Sequence, residues 1–365
     1  MARAHAHALH TLRHMAPDAP AARLVAVAAR DRDRTEATAA ALGFERATTD
    51  WRSVVEDPRV EIVANLAATD VHVEPCLRAL ELGKAVLCEK PLAASAEAAH
   101  TLLDAARRAG VVAVCAYNYR GVPALRLARR LIAAGRLGTL RHFRGCYLQD
   151  WANLPAARRT WRFDDPMAGS AVGDLSHTID LLRWLVGEPT AVCALTGVLD
   201  PETQGLDLER ADRPADAFSA LFATEDGVTA TIDGSRVATG WKGRQQVEVV
   251  GSRGTLWWDM EDLNRLHLHL ADPERNEVAG FRDILVTEAE HPFMEHWWPA
   301  GHIIGWEHTF AHEWLETLRA HEQGDAEGGE NPDLPDFHDG LRAVVVSEAI
   351  HRSAAERRWV ATPRA

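Results

Sequence analysis

A lysine that closes a buried strand is the residue best placed to do chemistry in this sequence. The run Ala85-Val86-Leu87-Cys88-Glu89-Lys90-Pro91 brings Lys90 to the carboxyl end of an apolar segment, between an acid and a proline. In open parallel sheets ligands gather beyond the carboxyl ends of the strands, so an ammonium there can meet a substrate and a cofactor. Taken alone, the triplet fits a solvated loop lysine better, and the rest of the chain has to decide. A second cluster lies at the start, where His5, His7, His10 and His14 precede the first strand. On one helix His7, His10 and His14 share a face at spacings able to chelate. No carboxylate or cysteine joins them in sequence, so a packed helix is the simpler account and no metal is expected.

The elements that must carry Lys90 read as a βα pattern. Short apolar runs at 24–29, 60–67, 85–88 and 111–116 alternate with helical stretches such as 35–42, 71–82 and 95–109. Gly83 and Gly110 follow the last two as stop signals, and Ser95 is a plausible N-cap. Beyond Tyr119 the texture changes: a helix at 123–134, a strand around 142–148, a loop rich in Trp and Arg, and a helix near 172–186. Asp226-Gly227 and Gly251-Ser252-Arg253-Gly254 then mark hairpins, and helices at 306–321 and 337–356 close the chain around an acidic, Gly-rich loop. The expected architecture is α/β, a Rossmann-type parallel sheet over 1–120 followed over 121–365 by an α/β domain with an open, largely antiparallel sheet.

Composition removes several classes of function. Forty Lys and Arg against fifty-three Asp and Glu give a formal net charge of −13, with no basic stripe to track a phosphate backbone, so nucleic acid is not an expected partner. Five widely spaced cysteines inside apolar runs read as reduced core residues. With no apolar run of about eighteen residues and no signal-peptide core at the start, neither membrane insertion nor secretion is expected, and a cytoplasmic location is.

Glu89-Lys90-Pro91, Tyr117-Asn118-Tyr119-Arg120, Trp161-Arg162 and the run from Gly173-Asp174-Leu175-Ser176-His177 to Trp184 occur in consistent order along the chain. Together they resemble the glucose-fructose oxidoreductase, inositol dehydrogenase and rhizopine catabolism protein family. Within it, 143–151 and 297–302 resemble sugar dehydrogenases of the levoglucosan type. The resemblance implies hydride transfer between NADP or NAD and a carbinol of a sugar or cyclitol, an active site between the two domains, and a homo-oligomer, dimer or tetramer, formed through the sheet face. It makes Lys90 the catalytic lysine and Asp174 and His177 the acid and histidine of a facing helix. It further implies cofactor contacts from Ala2, Arg30, Thr69, His72, Glu89, Lys90, Pro91, Trp161 and Arg162. Substrate contacts fall to Lys90, Tyr119, Arg120, Trp151, Asp174, His177 and His302.

The chemistry agrees with these roles. Oxidising a secondary alcohol needs a base whose ordinary pKa lies near neutrality, which suits His177, and a cation to steady developing alkoxide, which suits Lys90. Asp174 can orient the imidazole or bind a hydroxyl. The family usually separates acid and histidine by four residues and here the separation is three, which still shares one helical face. The plainer alternative makes Asp174 a helix-starting residue and His177 a packing histidine. Of the twelve tryptophans, Trp151, Trp161, Trp297 and Trp298 sit in loops, where an indole can face a sugar ring, and Trp151 with one of the others is expected to do so.

Three further expectations concern the cofactor. Family members open with a strand and a Gly-x-Gly-x-x-Gly/Ala turn, and the resemblance puts Ala2 at the third glycine position. The first strand and first two glycines are then expected to be missing and to be encoded in frame upstream. Thr69 stands where the family usually carries an asparagine. The strand 24–29 runs into Arg30 where NAD users carry an acid, so NADP is expected to be preferred, unless Asp31 or Asp33 reaches the ribose. Two rival readings share the fold: a glycosidase using bound NAD for a transient oxidation, and a sugar-sensing protein without turnover.

Overall fold

The structure is a computed structural model that describes all residues except 155–157, 159, 164–168, 201, 211–212, 272–276, 278, 326–330 and 364–365, together with the side chain of Trp161. The chain forms two compact units, Met1–Gly121 with Gly305–Leu341, and Val122–Ile304 with Arg342–Ala365.

In the first unit α1 (Ala2–Met15) leads to β1 (Ala26–Ala28), α2 (Arg32–Leu42), β2 (Arg46–Thr48), α3 (Trp51–Val55), β3 (Ile62–Asn65), α4 (Val73–Glu81), β4 (Ala85–Glu89), α5 (Ala96–Ala109) and β5 (Ala113–Ala116). The parallel strands lie in two ladders, β1-β2 and β3-β4-β5, with no pairing between the ladders among the described residues. Every residue of β4 and β5 is buried, as expected for central parallel strands covered on both faces. The sequence marks the end of α5 on both sides: the Ser95 side chain accepts from the Ala98 N–H at 3.2 Å, and Gly110 takes the left-handed conformation at φ 61°.

Four details differ from the sequence reading. β2 was not foreseen, because three residues of mixed polarity carry no period. The helix expected at 71–82 begins later, after a 3₁₀ turn at Thr69–Val71. The third is the placement of the segment after residue 304. Here α9 (Glu307–Gln323) and the first turns of α10 (Phe337–Glu356) belong to the first unit instead of the second. Packing explains this: α9 lies on α1, Asn118 Nδ2 donates to Thr309 Oγ1 at 2.6 Å, and His312 Nδ1 donates to the Gly121 carbonyl at 2.6 Å. Gly121 is required at that approach, since a Cβ there would sit 2.8 Å from the Thr309 carbonyl oxygen.

The second unit is built on a ten-stranded sheet. In chain order it holds α6 (Pro123–Ala133), β6 (Leu140–Leu148), α7 (Ala171–Asp174), α8 (His177–Val186), β7 (Pro189–Leu199), β8 (Leu206–Asp207), β9 (Ala217–Thr224), β10 (Thr229–Ser235), β11 (Arg244–Gly251), β12 (Gly254–Asp259), β13 (Arg265–Leu270), β14 (Arg282–Leu285) and β15 (Val360–Ala361). Strand order is β14-β13-β12-β11-β6-β10-β9-β7-β15, with β8 beside β7. Among the described residues of this sheet only β6 and β10 pair in parallel. β11 and β12 alternate buried and half-buried residues, so one face of the sheet takes the core and the other stays open. Helix α8 packs on β6, β10 and β11. Among the described residues no helix is long and apolar enough to cross a membrane.

The fourth difference is in this unit. The single helix expected at 172–186 is two, broken at Leu175-Ser176. The Ser176 N–H reaches the Gly173 carbonyl and the Thr178 N–H reaches the Leu175 carbonyl, both at 3.3 Å, so three-residue steps replace the α-helical ladder there. Asp174 therefore ends one helix and His177 begins the next, and the shared helical face inferred from their spacing does not form.

Candidate active site

The strand-end site is assembled from its least exposed atoms outward. Glu89 is the last residue of β4 and is buried. Its Oε1 lies 3.3 Å from His5 Nε2 and its Oε2 accepts the Lys90 main-chain N–H at 3.2 Å. Burial pushes this carboxyl up, but the His5 hydrogen bond, the Lys90 ammonium and the Lys90 N–H hold the group below its ordinary value. Glu89 is thus a carboxylate clipped between α1 and the chain that carries Lys90. Lys90 itself is half-buried and joins Pro91 through a cis peptide bond.

His72 fixes the turn beside it. Its Nδ1 lies 3.1 Å from the Pro91 carbonyl and 3.3 Å from that of Leu92, and its Nε2 lies 3.2 Å from that of Ala67. Burial lowers its pKa, and the three carbonyls and Glu89 only partly offset this. Both ring nitrogens thus face main-chain carbonyls, and the ring holds the Pro91-Leu92 segment against the turn that starts at Thr69. Thr69 is buried at the head of that turn. Ala2 opens α1. Arg30 is exposed beyond β1, and Asp31, next to it, caps α2 by accepting the Arg34 N–H at 2.9 Å.

Tyr119 and Arg120 turn into the packing of the first unit. The Tyr119 hydroxyl accepts from the Trp306 indole N–H at 3.3 Å, and the buried Arg120 guanidinium donates to Asp339 at 3.0 Å. Asp339 also belongs, with Asp336 and His338, to a trio whose ligand-type atoms lie within 4.8 Å of one another. Asp336 caps α10 by accepting the Asp339 N–H at 2.8 Å, so helix capping and the Arg120 pair account for both acids. At the start of the chain, His5 is buried, His10 Nε2 donates to the Leu42 carbonyl at 2.8 Å, and His7 lies 3.5 Å from Thr11 Oγ1.

The second unit carries the other candidate residues. Asp174 Oδ1 accepts from Arg162 Nε at 3.2 Å, which brings together two expected site residues. His177 is buried at the start of α8, its ring centroid 6.3 Å from that of Tyr147 on β6. Gly145 allows α8 to close on β6, since a Cβ there would meet Thr178 Cγ2 at 2.5 Å. Half-buried Trp151 donates its indole N–H to Gln149 at 2.9 Å and meets Phe163 edge-on at 6.0 Å. The Trp161 side chain lies outside the described residues. His302 is exposed, with Nδ1 2.8 Å from the Pro299 carbonyl.

Beneath these sits a buried ion cluster with no motif to announce it. Arg236 donates through Nε to Asp216 Oδ1 at 2.9 Å and through Nη1 to the Gly169 carbonyl at 2.7 Å, while Arg158 pairs with Asp216 Oδ2 at 3.2 Å. The Arg236 guanidinium lies 4.1 Å from the Phe163 ring centroid and 5.8 Å from that of Trp151. Burial lowers its pKa and Asp216 partly restores it. Arg236 thereby ties the loop that carries Trp151 and Arg162 to the sheet. His5, Trp314, Asp216 and Arg236 are the supporting residues the sequence reading missed. Only the position of His5 on a helix facing the parallel sheet could have marked it.

Two family models match the chain: an oxidoreductase family, NAD-binding Rossmann fold, over residues 1–117, and a GFO/IDH/MocA C-terminal domain over residues 125–257. The levoglucosan dehydrogenase of Pseudarthrobacter phenanthrenivorans is 33% identical over 88% of this chain and 85% of its own length. The inositol 2-dehydrogenase of Rhizobium meliloti is 28% identical over 93% of this chain and 91% of its own. A solved structure of levoglucosan dehydrogenase in complex with NADH and levoglucosan superposes with a TM-score of 0.90 at 32% identity, covering 99% of this chain and 96% of that one.

Proposed function

Since this chain belongs to the GFO/IDH/MocA oxidoreductase family, we propose that it oxidises one secondary carbinol of a sugar, with an anhydro-pyranose such as levoglucosan or a cyclitol such as inositol as the substrate class. The observation that carries this reading is the strand end itself. Lys90 leaves β4 at the carboxyl edge of a parallel ladder, where such sheets receive ligands, and the main chain there is pinned by a buried carboxylate.

The residues present fit a nicotinamide dinucleotide. A turn opening with Thr69 and the Lys90-Pro91 segment follow neighbouring parallel strands β3 and β4, and Arg30 stands exposed beyond β1. When bound, the nicotinamide supplies the hydride acceptor. Lys90 steadies the substrate oxygen as negative charge develops on it, and His177 takes the hydroxyl proton. Asp174, held by Arg162, binds a neighbouring hydroxyl, and Trp151 offers an aromatic face to the ring.

The cofactor preference in this proposal is NADP. Ala29 brings no carboxylate to the end of β1, and Asp31 has spent its side chain on capping α2, which leaves Arg30 to meet a 2′-phosphate. The test is an assay of the purified protein with levoglucosan, myo-inositol and related sugars, each with NAD and with NADP, following reduced nicotinamide. Turnover of at least one sugar, with higher kcat/KM for NADP that Arg30→Ala abolishes, is expected. No turnover across the panel by protein that binds reduced nicotinamide cofactor in a fluorescence titration would overturn the substrate class, and an Arg30→Ala variant losing NAD and NADP activity equally would overturn the cofactor preference.

A further inference from the structure

The Glu89 carboxylate does not stand alone under Lys90. The indole N–H of Trp314 on α9 donates to His5 Nδ1 at 3.0 Å. Indole is a donor only, so Nδ1 must present its lone pair, and a neutral His5 carries its proton on Nε2, the atom 3.3 Å from Glu89 Oε1. His5 therefore donates to Glu89. The imidazole is held edge-on by Phe310, with centroids 5.0 Å apart at 73°, and by Trp314, at 6.0 Å and 90°. All of these side chains are buried.

We propose that Trp314 and His5 are positioning residues for Lys90: the indole sets the imidazole tautomer, the imidazole holds one oxygen of Glu89, and the other oxygen holds the Lys90 main chain. Three helices or strands that meet only in the folded unit, α9, α1 and β4, thus converge on one peptide N–H. The groups that face Glu89 are His5 from α1, Glu313 from α9, His72 from the head of α4, and Cys88 and Lys90 from its own strand. Of these, Glu313 is the other acid, and a charge on it would repel that of Glu89. Burial and Glu89 itself push the Glu313 carboxyl well above its ordinary value, which leaves Glu89 as the single carboxylate in the cluster.

This inference rests on Lys90 being the group that meets the substrate oxygen, and its test separates the two. The chain has three lysines, Lys84, Lys90 and Lys242, and the Lys242 side chain is 77% exposed. Brief acetylation of the whole protein with acetic anhydride, quantified by mass spectrometry, gives the Lys90-to-Lys242 labelling ratio without any sugar or cofactor. His5→Leu and Trp314→Phe are each expected to raise that ratio about threefold or more, and His5→Gln, which keeps a side-chain N–H, to return it near the wild-type value. In turnover, both disruptive variants should lower kcat about tenfold with KM for the sugar little changed, the scale of one hydrogen bond to a charged group. In a Lys90→Met background, adding His5→Leu should cost nothing further. Unchanged labelling in Trp314→Phe, which keeps the aromatic packing and so remains informative if His5→Leu fails to fold, overturns the relay. Full turnover in Lys90→Met overturns instead the role given to Lys90, and leaves the labelling result to judge the relay.

Discussion

The candidate residues of the two units are held by different physics. Around Lys90 the supports are hydrogen bonds from neutral donors: Trp314 to His5, His5 to Glu89, and the Lys90 N–H to the same carboxylate. Around Asp174 they are ion pairs, with Arg162 on Asp174 and the buried cluster of Arg158, Asp216 and Arg236 below. The first arrangement buries one carboxylate and meets it with oriented dipoles. The second buries two charged groups, Asp216 and Arg236, beside a half-buried Arg158, and removing Arg236 strands Asp216 out of water. The lysine half should therefore lose precision when cut, while the aspartate half should lose structure.

The largest effect is expected from breaking the ion cluster. Arg236→Leu leaves Asp216 buried without its main partner and should cost about 3–5 kcal/mol in denaturant unfolding. A cost under about 1 kcal/mol would erase the contrast between the halves. Next in size are the groups assigned to the reaction. Lys90→Ala or His177→Ala should each reduce turnover about a hundredfold or more, close to 2.7 kcal/mol, with the fold intact by circular dichroism and thermal melting. Near-normal turnover in either variant would remove that residue from the site.

Smaller effects come from pH, and they run in opposite directions in the two units. Glu313, in the first, keeps its proton when folded and loses it when unfolded once pH passes the ordinary carboxylate range. The folded state then binds more protons, so this group erodes stability as pH rises. Glu313→Gln should raise the melting temperature by about 2 °C or more at pH 8 and by less at pH 5. His351, in the second unit, is pushed down to about 4 by burial. Between its ordinary value and 4 the unfolded state binds the extra proton, so this group erodes stability as pH falls. His351→Leu should therefore help more at pH 5 than at pH 7. Melting curves of both variants across pH check the two signs, and the same sign in both would show that burial is not what sets them.

How legible the site was follows the same division. The buried run that becomes β4, the Ser95 and Gly110 caps and the Glu89-Lys90-Pro91 strand end could be read because each is a local pattern with a local cause. The break at Leu175-Ser176 could not, since both sides of it are apolar in helical spacing and only the packing of α8 on the sheet selects two helices. Asp216 and Arg236 are also invisible in sequence: they stand at the entry of β9 and the exit of β10, which come together at the open end of the hairpin only once its register is set. The return of Gly305–Leu341 to the first unit is a long-range event of the same kind. His5 was read among the histidines of one helix, when its decisive neighbours are Glu89 and Trp314, which arrive from other parts of the chain.

The central claim is that hydride passes from a sugar carbinol to the nicotinamide. It is tested most directly with the sugar that turns over fastest, deuterated at the carbinol carbon, incubated with the oxidised cofactor and followed by mass spectrometry. The account predicts one deuterium in the reduced cofactor and an equal amount of keto sugar. Consumption of the sugar with no deuterium in the cofactor and no net cofactor reduction would contradict it.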